Sequence, residues 1–415
     1  MKFQRICLAS IKLILCVSLL FPFAAFAHLI SITATTPFPS ILHILSTATA
    51  TFKVTNITSR VTLTVVDQSS FPTGSGLSIL SSTCGNPISP GQSCNINMQL
   101  QAPSTPKTIS AELREWAKPS ADGVRFPFTI GVVSPQFAYV ANYAFNNGTV
   151  SLCSITAGTG ELICPGTTGS GFTGAAAVAI NQAGTFAYVA NYDGSTVSLC
   201  SIIQSTGELT NCGTTGSGFN GPTAITINPA GNFAYVSNAD NDSVSKCSIT
   251  PNTGELINCV TTGSTFSFPE YMAINPQNTF AYVANGSSSS ISFCAITPGT
   301  GELTDCGPTG AFVQSPFGIA TNRTGTFVYA TDFFNSIVYL CSVTQSTGEL
   351  INCAATGGGF NGPGGITVNP AGTFAYVSNY NAGTVSLCSI DQNTGALTCP
   401  GTTGNGFSSP SAVAF

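Results

Sequence analysis

The 415-residue chain is 43 % hydrophobic and only 7 % charged, with a net charge of −5. So much apolar content at so low a net charge excludes an extended disordered chain, and 43 glycines suit a sheet-rich protein with many tight turns. From Pro127 onward the only cations are Lys246 and Arg323, against twelve acidic side chains, which excludes nucleic acid and anionic lipid surfaces as partners.

In chain order, residues 1–27 read as a secretory leader. Lys2 and Arg5 form its basic start, residues 6–26 are mostly apolar apart from Lys12, and Ala25-Phe26-Ala27 puts small residues at the two positions a signal peptidase inspects. A leader implies export to a bacterial periplasm, cell surface or medium. No later segment reaches the roughly 18 apolar residues needed to span a bilayer, so no membrane insertion is expected after cleavage. Residues 28–133 carry alternating, strand-like runs at 51–56, 61–66 and 96–100, with Cys84 and Cys94 framing a short hairpin. A small β-sandwich is expected there.

Residues 134–415 repeat. The hexapeptide Phe137-Ala138-Tyr139-Val140-Ala141-Asn142 returns with small changes at Phe186, Phe233, Phe280, Phe327 and Phe374, at spacings of 49, 47, 47, 47 and 47 residues. In the third copy, strand signals lie at 224–227, 233–237, 244–249 and 255–259, and Asn228-Pro229-Ala230-Gly231 turns the first into the second. Four short antiparallel strands at a fixed period predict a β-propeller blade. Residues 411–415 match the first strand of a repeat, whereas residues 128–133 end the N-terminal unit. The C-terminal strand would then complete the first copy, giving six four-stranded blades and no open edge. The alternative is a seven-bladed ring with a truncated or borrowed blade.

Fourteen cysteines remain once Cys7 and Cys16 leave with the leader. Besides Cys84 and Cys94 they come two per repeat: Cys153 and Cys164, Cys200 and Cys212, Cys247 and Cys259, Cys294 and Cys306, Cys341 and Cys353, Cys388 and Cys399. Folding the third hairpin about Thr253 sets Cys247 opposite Cys259, at the cross-strand spacing of about 4.5–5.5 Å that a disulfide accepts. Disulfides are therefore expected in an exported chain. Copies one and six place the second Cys one residue early, before Pro-Gly. A one-residue shift turns the side chain to the other face, so either a bulge corrects it or these cysteines lie beyond the regular ladder. There is no Cys-x-x-Cys, and His28 and His43 stand outside the repeats, so a zinc site is not supported.

Phe-Ala-Tyr-Val-Ala-Asn followed by Thr-Val-Ser-Leu-Cys-Ser-Ile, with Ile-Asn-Pro-Ala-Gly before it, resembles the Tyr-Val-x-Asn repeat of lactonase-like propellers. The resemblance covers residues 137–415 and implies the fold and, as an activity, lactone hydrolysis. The Cys84-Gly85 and Pro90-Gly91-Gln92-Ser93-Cys94 segments resemble bacterial immunoglobulin-like sandwich domains.

The residues themselves offer little chemistry. The repeats hold no His, no Gly-x-Ser-x-Gly elbow and no phosphate loop. Glu161, Glu208, Glu255, Glu302 and Glu349 recur at one hairpin position, spread around a ring rather than paired. Asn142, Asn191, Asn238, Asn285 and Asn379, with Asp332 in the fifth copy, could aim oxygens at one face and hold a Ca2+ ion, or simply cap turns; no other cofactor is expected. The connections that vary follow the second strand, and they hold Tyr143, Phe145, Tyr192, Asp240, Asp242, Phe333, Phe334 and Tyr380. Aromatics among small polar residues suit recognition, because flat rings supply contact area at low entropy cost. The Gly-Phe segments with Phe172, Phe219, Phe266, Phe312, Phe360 and Phe407 are expected to wedge between blades. These readings favour an all-β, disulfide-stapled scaffold that binds a protein or carbohydrate through one loop face. A lactonase-like hydrolase, with a metal-bound water in place of a base, is the alternative.

Overall fold

The structure, a computed structural model, describes residues 30–36, 41–43, 47–57, 64–67, 71, 77–101, 107–118, 122–133 and 136–415. Residues 1–27, the expected leader with Cys7 and Cys16, lie outside the described residues. The chain divides into two compact units, residues 1–134 and 135–415. Among the described residues every long element is a strand; the exception is one 3-10 turn at Ala239–Asn241. Among the described residues no helix is long and apolar enough to cross a membrane.

The first unit holds two four-stranded sheets. One orders Ile30–Thr36, Thr47–Asn56, Ser93–Gln101 and Leu77–Ser82; the other orders Ile41–His43, Asp122–Val133, Lys107–Lys118 and Thr64–Asp67. Alternate residues of the central strands, Phe52, Val54, Ile96 and Met98, are buried. Phe52 packs edge-on against Phe126 at 5.5 Å, and Cys84 is bridged to Cys94.

The second unit is a β-propeller of four-stranded sheets. Its first sheet orders Pro410–Ala414, Phe137–Asn142, Thr149–Ile155 and Leu162–Thr168. The following sheets begin at Ala175–Ile180, Pro222–Ile227, Pro269–Ile274, Pro316–Thr321 and Pro363–Val368, and each runs outward through three further strands in sequence order. Pro410–Ala414 packs against both Ala175–Ile180 and Pro363–Val368, the innermost strands on either side of it. The Phe-Ala-Tyr-Val strand is second from the axis and covered on both faces, which is why it lacks polar alternation; in Phe186–Asn191, as in its counterparts, the last five of six residues are buried.

Each refrain tyrosine reaches across to the next sheet. The hydroxyls of Tyr139, Tyr188, Tyr235, Tyr282 and Tyr329 donate to the carbonyls of Gly207, Gly254, Gly301, Gly348 and Gly395, and Tyr376 donates to Gly160, all at 2.5–2.8 Å. Those glycines close the Thr-Gly hairpins with φ between +69° and +78°, a region that favours Gly. They also pack under the preceding sheet's Phe: a Cβ on Gly254 would lie 2.8 Å from the Phe186 ring. A return bond runs the other way, from the Leu209, Leu256, Leu303 and Leu397 amides to the hydroxyls of Thr168, Thr215, Thr262 and Thr356, and from Leu162 to Thr403.

Six disulfides join the third and fourth strands of the propeller sheets. The early cysteines of copies one and six are accommodated by a bulge. In the second sheet Leu199 pairs with Gly213 and Ser201 with Thr210, so Asn211 and Cys212 together oppose Cys200. In the first sheet Leu152 pairs with Gly166 and Ser154 with Ile163, so Cys164 and Pro165 oppose Cys153. Where the cysteine comes second, the bulge opens with Asn211, Asn258, Asp305 or Asn352 at φ near +50°, residues that tolerate the left-handed region.

The Gly-Phe aromatics Phe172, Phe219, Phe266, Phe360 and Phe407 are buried; the side chain of Phe312 is outside those described, and Val313 beside it is fully buried.

Removing one tyrosine hydroxyl, as in Tyr188→Phe, leaves the buried Gly254 carbonyl without its donor and is expected to cost about 1–3 kcal/mol, read by denaturant unfolding under non-reducing conditions. Alkylation without reduction is expected to leave the fourteen bridged cysteines from Cys84 to Cys399 untouched, and to modify all of them after reduction; the mass of the corresponding peptides reads it.

Candidate functional site

The innermost strands open with a bulge at one end of the propeller. Pairing with the second strand skips between Ala175 and Ala177, Pro222 and Ala224, Pro269 and Met272, Pro316 and Ile319, Pro363 and Ile366, and Pro410 and Ala412. A bulge re-aims side chains out of the ladder. The released residues are Ala176, Thr223, Glu270 with Tyr271, Phe317 with Gly318, Gly364 with Gly365, and Ser411. Hydroxyls satisfy the carbonyls so freed: Thr223 Oγ1 donates to the Pro269 carbonyl at 2.7 Å, Thr331 Oγ1 to Gly364 at 2.7 Å, Ser378 Oγ to Ser411 at 3.0 Å and Ser411 Oγ to Ala141 at 3.2 Å.

Above this ring stands a second, formed by the residues that follow each second strand: Tyr143, Tyr192, Ala239, Gly286, Phe333 and Tyr380. Together the two rings bound a cavity of about 300 Å³ lined by Tyr143, Tyr192, Phe333, Tyr380, Ala176, Thr223, Phe268, Glu270, Phe317 and Ser411. Its wall is a continuous aromatic arc. Ring centres are 6.3 Å apart for Tyr192 and Tyr143, 6.4 Å for Tyr143 and Tyr380, 5.9 Å for Tyr380 and Phe333, and 5.6 Å for Phe333 and Phe317. Two positions are small, and at one of them Glu270 comes forward: a Cβ on Gly286 would lie 3.2 Å from Glu270 Cγ.

Glu270 is 7 % exposed. No described residue donates a hydrogen bond to its carboxyl, and burial alone pushes its pKa up to about 8, because an apolar surround disfavours the charged form. Tyr271, the next residue, turns the other way. Its hydroxyl crosses the axis to the Ala176 and Ser411 carbonyls, at 2.8 and 3.1 Å, and its ring stacks on Phe317 at 5.6 Å. Gly365 lies beside that ring and is required by the neighbouring strand: a Cβ there would lie 2.7 Å from the Ser411 carbonyl oxygen, but at an ordinary 3.5 Å from Tyr271 Cε1. Beyond Tyr271 a second cavity, lined by Val178, Ile225, Ile274, Ile319, Ile366 and Val413, occupies the other end of the axis.

Of the loop residues singled out from sequence, Tyr143, Tyr192, Phe333 and Tyr380 line the cavity. Phe145 and Phe334 do not; they are 76 % and 79 % exposed, Phe334 standing edge-on to Phe333. Asp240 accepts the Tyr192 hydroxyl at 2.9 Å, just as Asp193 accepts that of Tyr143 at 3.1 Å. Asp242 accepts the Phe268 amide. The asparagine series donates within its own sheets; the Oδ1 atoms of Asn238, Asn285 and Asn379 accept backbone amides, and those of Asn142 and Asn191 are buried without a partner among the described residues. Asn142, Asn191, Asn238, Asn285 and Asn379 each donate Nδ2 to a third-strand serine, Ser151, Ser198, Ser245, Ser292 and Ser386, at 2.8–2.9 Å. Asp332 accepts from the amide and side chain of Asn335. Among the described residues no three His, Cys, Asp or Glu side chains gather as a metal-ligand set.

Glu270, Tyr271, Phe317, Thr223 and Ser411 escape a sequence reading focused on loops. The signal is nonetheless present: the position after the strand-opening residue reads Ala, Thr, Glu, Phe, Gly and Ser in the six copies, the most varied place in an otherwise uniform strand.

The family described as lactonase, 7-bladed beta-propeller, matches residues 206–317 and 310–415, together half of the chain. Among solved structures, a periplasmic gluconolactonase of Pseudomonas aeruginosa is 15 % identical with a TM-score of 0.51, over 73 % of this chain and 94 % of that one. A candidate 6-phosphogluconolactonase of Bacteroides fragilis is 18 % identical with a TM-score of 0.50, over 73 % and 92 %. A Lactobacillus plantarum protein is 18 % identical, also at 0.50, over 74 % and 99 %. No curated protein matches the sequence. The expectation of a scaffold that only binds a protein or carbohydrate through its loops is corrected by the family match, which favours the hydrolase alternative; the loop aromatics wall a pocket with a buried acid instead of forming an open recognition face. The chain belongs to the lactonase family of β-propellers.

Proposed function

We propose that the chain hydrolyses a lactone in the aromatic cavity, with Glu270 as the proton-transfer group. The observation that carries this reading is a buried carboxyl with no partner, held between an aromatic wall and Gly286. Perturbed groups of this kind concentrate at catalytic sites. The family match and the lactonase titles of the structural neighbours support the reaction class. In the step envisaged, the Glu270 carboxylate takes a proton from a water as its oxygen adds to the lactone carbonyl carbon. The ring C–O bond then breaks, and the released oxygen takes that proton back, leaving a hydroxy acid. A resident divalent ion does not fit the cavity lining, where Glu270 would be its lone carboxylate ligand. Our reading of the ring is six sheets, closed by Pro410–Ala414, where the family description names seven. Export is part of the proposal, supported by the seven disulfides and by the periplasmic neighbour.

The base form of Glu270 fills as pH rises through about 8. Enzymatic kcat/KM, corrected for spontaneous hydrolysis, is expected to climb with pH up to that point and then level. Glu270→Gln is expected to lower kcat by at least about 100-fold and to flatten the profile. A second readout needs no substrate. A carboxyl raised from 4.5 to about 8 keeps its proton in the folded state while the unfolded chain loses it. Stability therefore falls as pH rises from about 4.5 to about 8, by at most about 5 kcal/mol at about 1.4 kcal/mol per unit. Unfolding of Glu270→Gln across the same window is expected to lack that decline.

A further inference from the structure

The polar inventory of the cavity is one-sided. Tyr143 and Tyr192 already donate their hydroxyl protons, to Asp193 and Asp240. Thr223 and Ser411 already donate theirs, to the Pro269 and Ala141 carbonyls. Each oxygen keeps a lone pair and has no proton left to give. Of the five lining hydroxyls only that of Tyr380 stays uncommitted; the Glu270 carboxyl, protonated below about pH 8, adds one more proton, and the remaining lining oxygens only accept.

Cations are missing as well. The propeller contains two, and neither lines the cavity. Lys246 donates Nζ to the Thr300 carbonyl at 2.8 Å and lies over the Phe233 ring. Arg323 sits in the turn between the first and second strands of its sheet, the end opposite the cavity, with Gly372 beside it. The carboxyl groups nearest the pocket are Glu270 in its lining and Asp193 and Asp240 behind Tyr143 and Tyr192, with no cation to offset them.

We propose that the substrate is an uncharged, polyhydroxylated lactone of the sugar type, and that a phosphorylated lactone is rejected. This rests on the hydrolase reading and narrows it. Substrate hydroxyls would donate to the waiting oxygens of Tyr143, Tyr192, Thr223 and Ser411, while the C–H face of the ring lies on the aromatic arc. A phosphate group would enter a cavity with no lining cation and two available donors, the Tyr380 hydroxyl and the protonated Glu270 carboxyl, where an unpaired charge is costly to bury. The same logic applies to the product: a neutral lactone becomes a carboxylate anion, which this cavity does not retain.

The test uses unreactive lactams for binding and lactones for turnover. Calorimetric titration of the full chain with δ-gluconolactam, its 6-phosphate and δ-valerolactam is expected to show the hydroxylated neutral lactam binding at least tenfold more tightly than δ-valerolactam and at least a hundredfold more tightly than the phosphate. Equal or tighter binding of the phosphate, a tie with δ-valerolactam, or no binding of any of the three overturns the proposal. Turnover is read separately. If δ-gluconolactam binds as expected but δ-gluconolactone is not hydrolysed, the ligand class stands and the hydrolase reading falls. If 6-phosphogluconolactone is hydrolysed at least as efficiently as δ-gluconolactone, the hydrolase reading stands and the ligand class falls.

Discussion

The propeller depends on one bond repeated around its circumference: a tyrosine hydroxyl donating to the glycine carbonyl of the next sheet's hairpin. Each bond is buried, so losing it leaves a carbonyl unpaired in a poor solvent for it. Each also fixes three residue types at once. Tyr must reach, Gly must adopt positive φ, and Gly must stay bare because the preceding sheet's Phe lies where a Cβ would go. The bond from Tyr376 to Gly160 belongs to the same set although 216 residues separate its ends. Uniform inter-sheet contacts of this kind leave the pocket end of the ring to vary without loss of the scaffold.

That division explains what could be read from the chain alone. The refrain made the four-stranded sheets legible, because Phe, Tyr and Gly recur wherever the inter-sheet bond is made. The hairpin cysteines were legible too, since a turn signal between two strands sets their partners opposite. The shifted Cys164 and Cys399 could not be resolved from spacing, because the bulge that absorbs the shift depends on backbone conformation at Pro165 and Asn211 rather than on residue count. The aromatic loop positions stood out because they break the repeat. Glu270 did not, because it lies in a strand of small and apolar residues, and only the bulge turns it out of the ladder toward the axis. Function went astray for the same reason: without Glu270 the propeller seemed to hold no titratable group in a position to act, and the variable loops looked like a recognition surface.

The cavity is therefore a local departure from symmetry. Four aromatic positions stand in an arc, two small ones complete the circle, and the acid appears beside the small pair. Tyr271 adds a floor by spanning the axis to two other innermost strands. With that side chain across the channel, the aromatic cavity and the one at the far end lie on opposite sides of a single residue, and Gly318, Gly364 and Gly365 let the innermost strands approach one another closely around it.

The pairing of Pro410–Ala414 with Phe137–Asn142 also bears on how the molecule is made. Synthesis delivers the Phe137 strand first and its inner neighbour about 270 residues later. Until then the first sheet presents a bare strand edge toward the axis, and Tyr271 and Ser378 lack the Ser411 carbonyl they both approach. The pocket floor thus waits on a strand made long after the rest of the first sheet.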